Sequence, residues 1–324
     1  MNSFRWAEPR SVQQAAALLA SGQGRTFLMS GGSDLLGQIK ERIIEADTVV
    51  DLAAIPGLSY IRKEKDGLKI GSMTTITELA ADPAVLQDYP GLSQAASVIA
   101  SPQLRNVGTV GGNLCQRPRC WYFRNSEIIC FKKGGEKCYA FEGKNKYHAI
   151  FGGSPCYIVH PSDLAPMLMA LDAVVVVASS LGERTLPLAR FFALPDEDVK
   201  RENVLAVDEL VREVILPPAG KGDRSAYVKL EERGTWDFAL VSCAVRASGP
   251  ARNPTALRVV LGGVAPVPWQ LKGAETALKG KALTEAAVRS AVRNSLKAAE
   301  PLAENGYKAA LVEAAVSRAL LSLA

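Results

Sequence analysis

Residues 28–36, LMSGGSDLL, place two adjacent glycines between a predicted strand and a predicted helix. Gly31 and Gly32 can adopt backbone conformations that other residues avoid, and they let a ligand approach the main chain. Unpaired N–H groups at the start of the helix favour an anion such as a pyrophosphate, and Ser33 and Asp34 are suited to cap that helix. The spacing departs from G-x-G-x-x-G, so the stretch also fits an ordinary strand–turn–helix.

Two further polar loops lie on either side of a group of cysteines. The loop that follows the cysteines, HPSDLAP, occupies residues 160–166. The loop that precedes them, SPQLRNVGTVGGNL at residues 101–114, contains Thr109, Gly111, Gly112 and Asn113. Each loop alone fits ordinary turn chemistry. Their position around the cysteines predicts one shared site.

Four of the six cysteines lie within residues 115–138, CQRPRCWYFRNSEIICFKKGGEKC, and a fifth is Cys156. A chain of 324 residues that is 48% apolar builds its core without disulfide staples, so clustered thiols indicate metal or redox chemistry. Four thiolates suit an iron–sulfur cluster or zinc, although the C-x₂-C pairs of zinc ribbons are missing. Unligated thiols are the third alternative. A bound cluster would also explain why residues 102–166 lack periodicity.

The remaining pattern predicts an α+β protein. Strands and helices alternate along the first half, and residues 217–223, PPAGKGD, form a candidate linker. Strand-like runs and then two helices follow it. The net charge of +5 comes without a long basic run, which disfavours a general nucleic-acid or membrane-surface role. We expect no secretory signal and no membrane span, because no apolar run is long enough.

Five motifs, in order along almost the whole chain, resemble the flavin-binding medium subunit of the molybdenum hydroxylases. That family includes xanthine dehydrogenase, aldehyde oxidase and carbon monoxide dehydrogenase. The motifs are GGSDLL, SPQLRNVGTVGGN, HPSDLAPMLMALDA, YVKLEERGTWDFALVS and LGGVAPVPW. The resemblance implies a two-lobed, PCMH-type (vanillyl-alcohol-oxidase-like) FAD-binding domain over residues 1–220. A C-terminal α+β domain would follow over residues 221–324.

The resemblance also implies which residues hold FAD, without a covalent bond. The first glycine loop and its strand would hold the pyrophosphate side: Leu28, Met29, Ser30, Gly31, Gly32, Ser33, Asp34 and Leu35. The second glycine loop would line the other side: Thr109, Gly111, Gly112 and Asn113. Ser162 and Asp163 would reach the ribityl or adenosine part. Lys229 stands where the family places a flavin-contacting lysine, although a strand lysine is ordinarily solvated.

The long connection between the second glycine loop and SDLAP resembles a subgroup, the 4-hydroxybenzoyl-CoA reductase and periplasmic aldehyde oxidase type. There the flavin subunit carries an extra [4Fe–4S] cluster in this insertion, here at about residues 115–156. The matching motifs imply the ligands Cys120, Cys130, Cys138 and Cys156. Cys115 would be a non-ligand beside the flavin loop, and Cys243 would be a small core residue.

Basic residues and both histidines of the chain lie close to these cysteines in sequence. The positive charge of the basic residues would raise the reduction potential of a cluster. The alternative is that they form a solvated basic loop. They are Arg117, Arg119, Arg124, Lys132, Lys133 and Lys137. For His148 and His160 we expect hydrogen bonds to backbone, with iron ligation as the alternative.

The resemblance implies an electron-transfer subunit. A large partner would hold the molybdenum cofactor and act on the substrate, and a small partner would hold two [2Fe–2S] clusters. Electrons would pass between those clusters and an external acceptor through FAD, whose isoalloxazine carries the chemistry, so no acid–base catalyst is assigned. The compartment would be the cytoplasm, or the periplasm if a signal-bearing partner exports the complex. The alternatives are a self-contained flavin oxidoreductase with structural zinc or free cysteines, and a non-catalytic scaffold.

Overall fold

The computed structural model describes residues 2–324, which form three sheets. The first lobe is a parallel sheet in the order β1-β3-β2, with the valines of β3 fully buried. The Ser11 hydroxyl accepts a hydrogen bond from the Gln14 amide and caps the first helix. The elements of this lobe are β1 (Arg5–Ala7), α1 (Val12–Ser21), β2 (Thr26–Met29), α2 (Leu35–Lys40) and β3 (Thr48–Asp51).

The second lobe is built on a five-stranded antiparallel sheet in the order β4-β5-β8-β6-β7. The run of valines in residues 174–177 forms one of its inner strands. The strands are β4 (Ile61–Glu64), β5 (Gly67–Gly71), β6 (Val174–Ser179), β7 (Gly182–Pro187) and β8 (Leu210–Leu216). The helices that pack with it are α3 (Ile76–Ala81), α4 (Pro83–Asp88), α5 (Pro90–Ser97) and, beyond the insertion, α9 (Leu164–Ala170).

Residues 75–87, TITELAADPAVLQ, form two helices rather than one continuous helix. Thr75 and Glu78 form a capping box at the start of α3. The run breaks at Asp82, which caps α4, because Pro83 has no N–H to donate within a helix but fits its first turn.

Residues 102–163 are largely irregular, as expected from their lack of periodicity. They contain three short helices, α6 (Pro102–Arg105), α7 (Val110–Cys115) and α8 (Tyr139–Glu142). The prediction of a loop was wrong for residues 110–115, because the Thr109 hydroxyl caps α7 by accepting from the Gly112 amide. A glycine-rich sequence is a poor helix former, and here the cap and the packing of Val110 and Leu114 override that tendency.

The C-terminal lobe is a four-stranded antiparallel sheet in the order β12-β11-β10-β9, with three helices. One face of the sheet packs on these helices, and the other packs on α5 and α9 through Ala244 and Val260. The elements are β9 (Arg224–Leu230), β10 (Val241–Ser248), β11 (Ala256–Gly262), β12 (Trp269–Gln270), α10 (Lys272–Leu278), α11 (Glu285–Leu296) and α12 (Lys308–Leu321).

The mixed helix and sheet architecture confirms the predicted α+β class. None of the helices within residues 2–324 combines the length and the apolarity that a bilayer crossing requires.

Candidate functional site

The two glycine loops line one cavity of about 520 Å³, which we call the glycine-loop cavity. That volume falls in the range of cofactor and ligand sites. Residues from the Asp163 loop and from the β9–β10 connection complete its wall. Eleven of the predicted cofactor residues lie on it: Leu28, Ser30, Gly31, Gly32, Ser33, Asp34, Leu35, Thr109, Gly112, Asn113 and Asp163.

The glycines are required because the two loops touch each other. A Cβ on Gly31 would lie 2.1 Å from the Val107 carbonyl oxygen. A Cβ on Gly112 would lie 2.5 Å from the Ser30 hydroxyl, and Gly32 has a φ of +71°. The backbone therefore forms the floor of the cavity, where its N–H groups can face a ligand anion.

Four predicted cofactor residues do not line this cavity. Met29 packs against a small core cluster. Gly111 packs against Ser72. Ser162 lines a second cavity, where its hydroxyl donates to the Asn113 side chain and accepts from the Ala165 amide. Lys229 does not line the glycine-loop cavity itself but contacts Asp163, which does.

Lys229 is a buried lysine rather than a solvated one. Its side chain is 3% exposed, and its Nζ lies 3.1 Å from Asp163 and 3.2 Å from Glu231. The Tyr227 hydroxyl donates to the second oxygen of Asp163 at 2.6 Å. Burial raises the pKa of the Asp163 carboxyl, while the charge of Lys229 opposes that shift. The lysine and the tyrosine thereby hold Asp163 in one orientation at the cavity wall.

Asp34 does not cap α2, contrary to the prediction. It occupies the N-cap position, but its carboxylate accepts no bond from the helix amides. It accepts instead from Arg124 at 2.6 Å and from the Arg117 amide at 2.9 Å, and it forms an ion pair with Arg119 at 2.9 Å. Charged donors outcompete backbone amides for a carboxylate. The cysteine insertion is therefore bonded directly to the first glycine loop.

Four cysteines far apart in sequence line one small cavity, which we call the cysteine cavity: Cys120, Cys130, Cys138 and Cys156. All four are free thiols. Cys115 lines the glycine-loop cavity instead, where burial raises the pKa of its thiol to about 12, and Cys243 is buried in β10. Within residues 2–324 no group of three or more His, Cys, Asp or Glu side chains has the geometry to hold a metal ion.

The thiols of the cysteine cavity differ in acidity. Burial raises the pKa of Cys120 to about 11. A hydrogen bond from the Cys156 thiol lowers the pKa of Cys138 to about 6, and the same bond raises the pKa of Cys156. The donor set is the one that iron–sulfur clusters and zinc use.

The two histidines have different surroundings. His160 lies outside the cysteine cavity, and its Nδ1 accepts a hydrogen bond from the Ser162 amide at 3.3 Å, as predicted. His148 lines the cysteine cavity with its Nε2 3.2 Å from the Cys120 sulfur. The expectation of a side-chain bond to backbone was therefore wrong for His148, whose ring nitrogen faces a thiol.

Most of the basic residues near the cysteines are ion-paired. Lys132 and Arg117 both bind Glu202, at 2.7 Å and 2.9 Å. Burial acts to raise the pKa of Glu202, but these two cations together lower it below its ordinary value. Arg119 and Arg124 bind Asp34. Four of the six basic residues named above are thus ion-paired rather than solvated.

The second cavity, of about 460 Å³, lies between the other two. It shares Cys120 and His148 with the cysteine cavity and Arg119 and Phe238 with the glycine-loop cavity. Three residues of these walls were not predicted from the sequence: Trp236 lines the glycine-loop cavity, and Asp237 and Phe238 line both cavities. They belong to GTWDF, within a quoted motif, which was the available signal.

The chain is similar to known proteins over its whole length. Residues 2–219 match the FAD binding domain in molybdopterin dehydrogenase, and residues 225–323 match the CO dehydrogenase flavoprotein C-terminal domain. The aldehyde oxidoreductase FAD-binding subunit PaoB of Escherichia coli (strain K12) is 36% identical, with 99% of this chain and 98% of that protein covered. This chain belongs to the FAD-binding medium-subunit family of the molybdenum hydroxylases.

Membership of this family is supported by a second relative and by its structure. The carbon monoxide dehydrogenase medium chain of Hydrogenophaga pseudoflava is 30% identical over 98% of this chain and 96% of its own. A solved carbon monoxide dehydrogenase from the same organism superposes with a TM-score of 0.79, covering 99% of this chain and 97% of that one at 29% identity. The chain is an oxidoreductase subunit, and FAD is its cofactor.

Proposed function

We propose that this chain passes electrons through FAD and one [4Fe–4S] cluster inside a heteromeric molybdenum hydroxylase. A large partner would hold the molybdenum cofactor and a small partner two [2Fe–2S] clusters. The observation that carries the proposal is the position of the four-thiol cavity, one cavity away from the glycine-loop cavity of a flavin subunit. The compartment is that of the assembled complex, cytoplasm or periplasm.

FAD fits the glycine-loop cavity because Gly31, Gly32 and Gly112 leave backbone exposed where any side chain would intrude. Arg117 and Arg119 line the same cavity and would complement the pyrophosphate. Asp34 would contribute its backbone, because its carboxylate is already bonded to arginines. Asp163, oriented by Lys229 and Tyr227, would accept a hydrogen bond from a hydroxyl of the ribityl or adenosine part of FAD.

The cysteine cavity suits a cluster better than a single zinc ion. Structural zinc is usually held by closely spaced cysteine pairs, whereas these four cysteines are separated by 10, 8 and 18 residues. A [4Fe–4S] cluster spreads four thiolates over the corners of a larger cage, and the donor set here is four thiols without a carboxylate. Cys120, Cys130, Cys138 and Cys156 would be the ligands.

Bound FAD would supply the exchange of electrons between one-electron clusters and an external acceptor. The role of this chain is to hold the two groups close and to shield them. Arg119 and Phe238 stand between the glycine-loop cavity and the second cavity, with the guanidinium 5.0 Å from the ring centre. His148 and Cys120 stand between the second cavity and the cysteine cavity. These residues would form the contact between flavin and cluster.

The test is the iron, sulfide, zinc and FAD content of the protein purified without oxygen, with absorbance spectra before and after dithionite. We expect about four iron and four sulfide per FAD and a broad band that bleaches on reduction. Serine substitution at Cys120, Cys130, Cys138 or Cys156 should remove the iron, whereas Cys115→Ser should keep it. Zinc in place of iron, or FAD without metal, would overturn the cluster and favour a self-contained flavin oxidoreductase.

A further inference from the structure

Asp34 is the point where the first glycine loop and the cysteine insertion meet. Its carboxylate receives two guanidinium groups, one backbone N–H and the Gln38 side-chain amide. The Asp34 and Arg124 side chains are only 17% and 14% exposed, so solvent and salt screen their ion pair weakly. Asp34 is followed directly by α2, and the two glycines of the cavity floor precede it at a distance of two and three residues.

The arginines that hold Asp34 belong to the segment that carries Cys120. Arg119 is the neighbour of that cysteine in sequence, and the Arg124 amide donates to the Cys120 carbonyl at 2.9 Å. The Arg124 side chain also donates to the Pro118 carbonyl at 2.8 Å. Residues 116–130 contain neither helix nor strand. Bonds from Cys120 to a cluster would therefore contribute directly to the order of this segment.

The same segment supplies part of the wall of the glycine-loop cavity. Arg117 and Arg119 lie on that wall. The Arg119 guanidinium lies 2.9 Å from Asp34, and its side chain is 30% exposed. Its remaining N–H groups could donate to an anionic ligand such as the FAD pyrophosphate.

We propose that loading of the cysteine cavity and binding of FAD are thermodynamically linked through Asp34, Arg119 and Arg124. A cluster bound to Cys120 orders residues 117–124. The ordered segment fixes Asp34 and presents Arg117 and Arg119 to FAD. Because linkage is reciprocal, bound FAD retards loss of the cluster by stabilising the same segment. This proposal rests on the cluster and the FAD site proposed above. It adds that filling either site strengthens binding at the other.

The experiment compares the FAD dissociation constant of the full-length chain in two forms. One form is purified without oxygen and carries iron and sulfide, and the other is the same protein after iron removal by chelation. Quenching of flavin fluorescence measures binding in both. We expect FAD to bind at least about fivefold more tightly to the loaded form, the lower end of ordinary coupling between sites. The half-life of the cluster under chelator should lengthen when FAD is added.

Substitutions at Asp34 and Arg124 test whether these residues carry the linkage between the two sites. Arg124→Gln should bring the ratio of the two dissociation constants close to one, and Asp34→Asn should do the same without altering side-chain size. Lys144→Gln, an exposed basic residue of the same insertion, is the matched control and should keep the wild-type ratio. Equal affinity for FAD in the loaded and iron-free wild-type forms overturns the linkage but leaves the proposed function. A chain that takes up no iron and sulfide overturns both.

Discussion

At the scale of single residues, the glycines of the first loop differ sharply in what surrounds them. A Cβ on Gly31 would meet the Val107 backbone at 2.1 Å, whereas one on Gly37 in α2 would meet nothing within 4 Å. Gly31→Ala should therefore separate the two loops, cost roughly 1–3 kcal/mol of stability and weaken FAD binding. Gly37→Ala should retain FAD and stabilise the helix by up to about 1 kcal/mol. FAD titration and urea unfolding of both variants measure this, and equal FAD affinity would contradict the close contact of the loops.

His148 is the second residue whose surroundings lead to a prediction. Its Nε2 lies 3.2 Å from the Cys120 sulfur, so it can donate to the thiolate that Cys120 would contribute to the proposed cluster. A hydrogen bond to a cluster sulfur favours the reduced form and raises the potential. If the bond is about 1 kcal/mol stronger in the reduced state, His148→Phe lowers the cluster potential by about 40 mV. A redox titration followed by electron paramagnetic resonance measures the shift, and an unchanged potential with full iron content would refute the bond.

At the scale of elements, two helices begin with a hydroxyl cap, but only one of these caps lies on a cavity wall. The Ser11 hydroxyl caps α1 at 3.2 Å from the Gln14 amide and lines none of the three cavities. The Thr109 hydroxyl caps α7 on the wall of the glycine-loop cavity, at 3.1 Å from the Gly112 amide. Ser11→Ala and Thr109→Ala should each cost about 1 kcal/mol in the free energy of unfolding. Only Thr109→Ala should also weaken FAD binding, because its cap orients the second glycine loop. Similar FAD affinity in both variants would show that α7 needs no cap to hold FAD.

At the scale of the whole molecule, the C-terminal lobe holds the far end of the insertion through a buried lysine. Lys308, at the start of α12, donates to the Tyr147 carbonyl at 2.9 Å and to the Gly263 carbonyl at 2.6 Å. Asn305 donates from the same turn to the carbonyls of His148 and Ala149. The final helix therefore positions residues 147–149, next to the cysteine cavity, although they lie more than 150 positions earlier in the chain.

The burial of Lys308 leads us to expect that the stability of the protein depends on pH. Burial lowers the pKa of Lys308 to about 7, whereas in the unfolded chain a lysine titrates near its ordinary value of about 10.4. Between these values the unfolded chain binds more protons than the folded chain, so the free energy of unfolding rises with pH by up to about 1.4 kcal/mol per pH unit from this group. Lys308→Met should remove that increase between pH 7 and 10, and the exposed Lys279→Met should keep it. Urea unfolding at several pH values compares them.

The sequence by itself determined the features that rest on local chemistry. Hydrophobic periodicity and β-branched runs predicted most of the strands and helices, and glycine and cap residues predicted the turn at residues 30–34. The motifs indicated the family and the cysteines to examine. Short elements such as α7 were missed, because a cap and tertiary packing, not propensity, stabilise them.

Only the tertiary structure decided which groups meet. Asp34 binds Arg119 and Arg124 and does not cap its own helix. This pairing depends on how an irregular segment folds back on the first glycine loop. That Lys229 is buried against Asp163, and that His148 faces a thiol, also follows from long-range packing. No pattern along a chain specifies such pairs, because their partners are set by the contacts among distant elements, and the same side chains would be solvated in an isolated strand or loop.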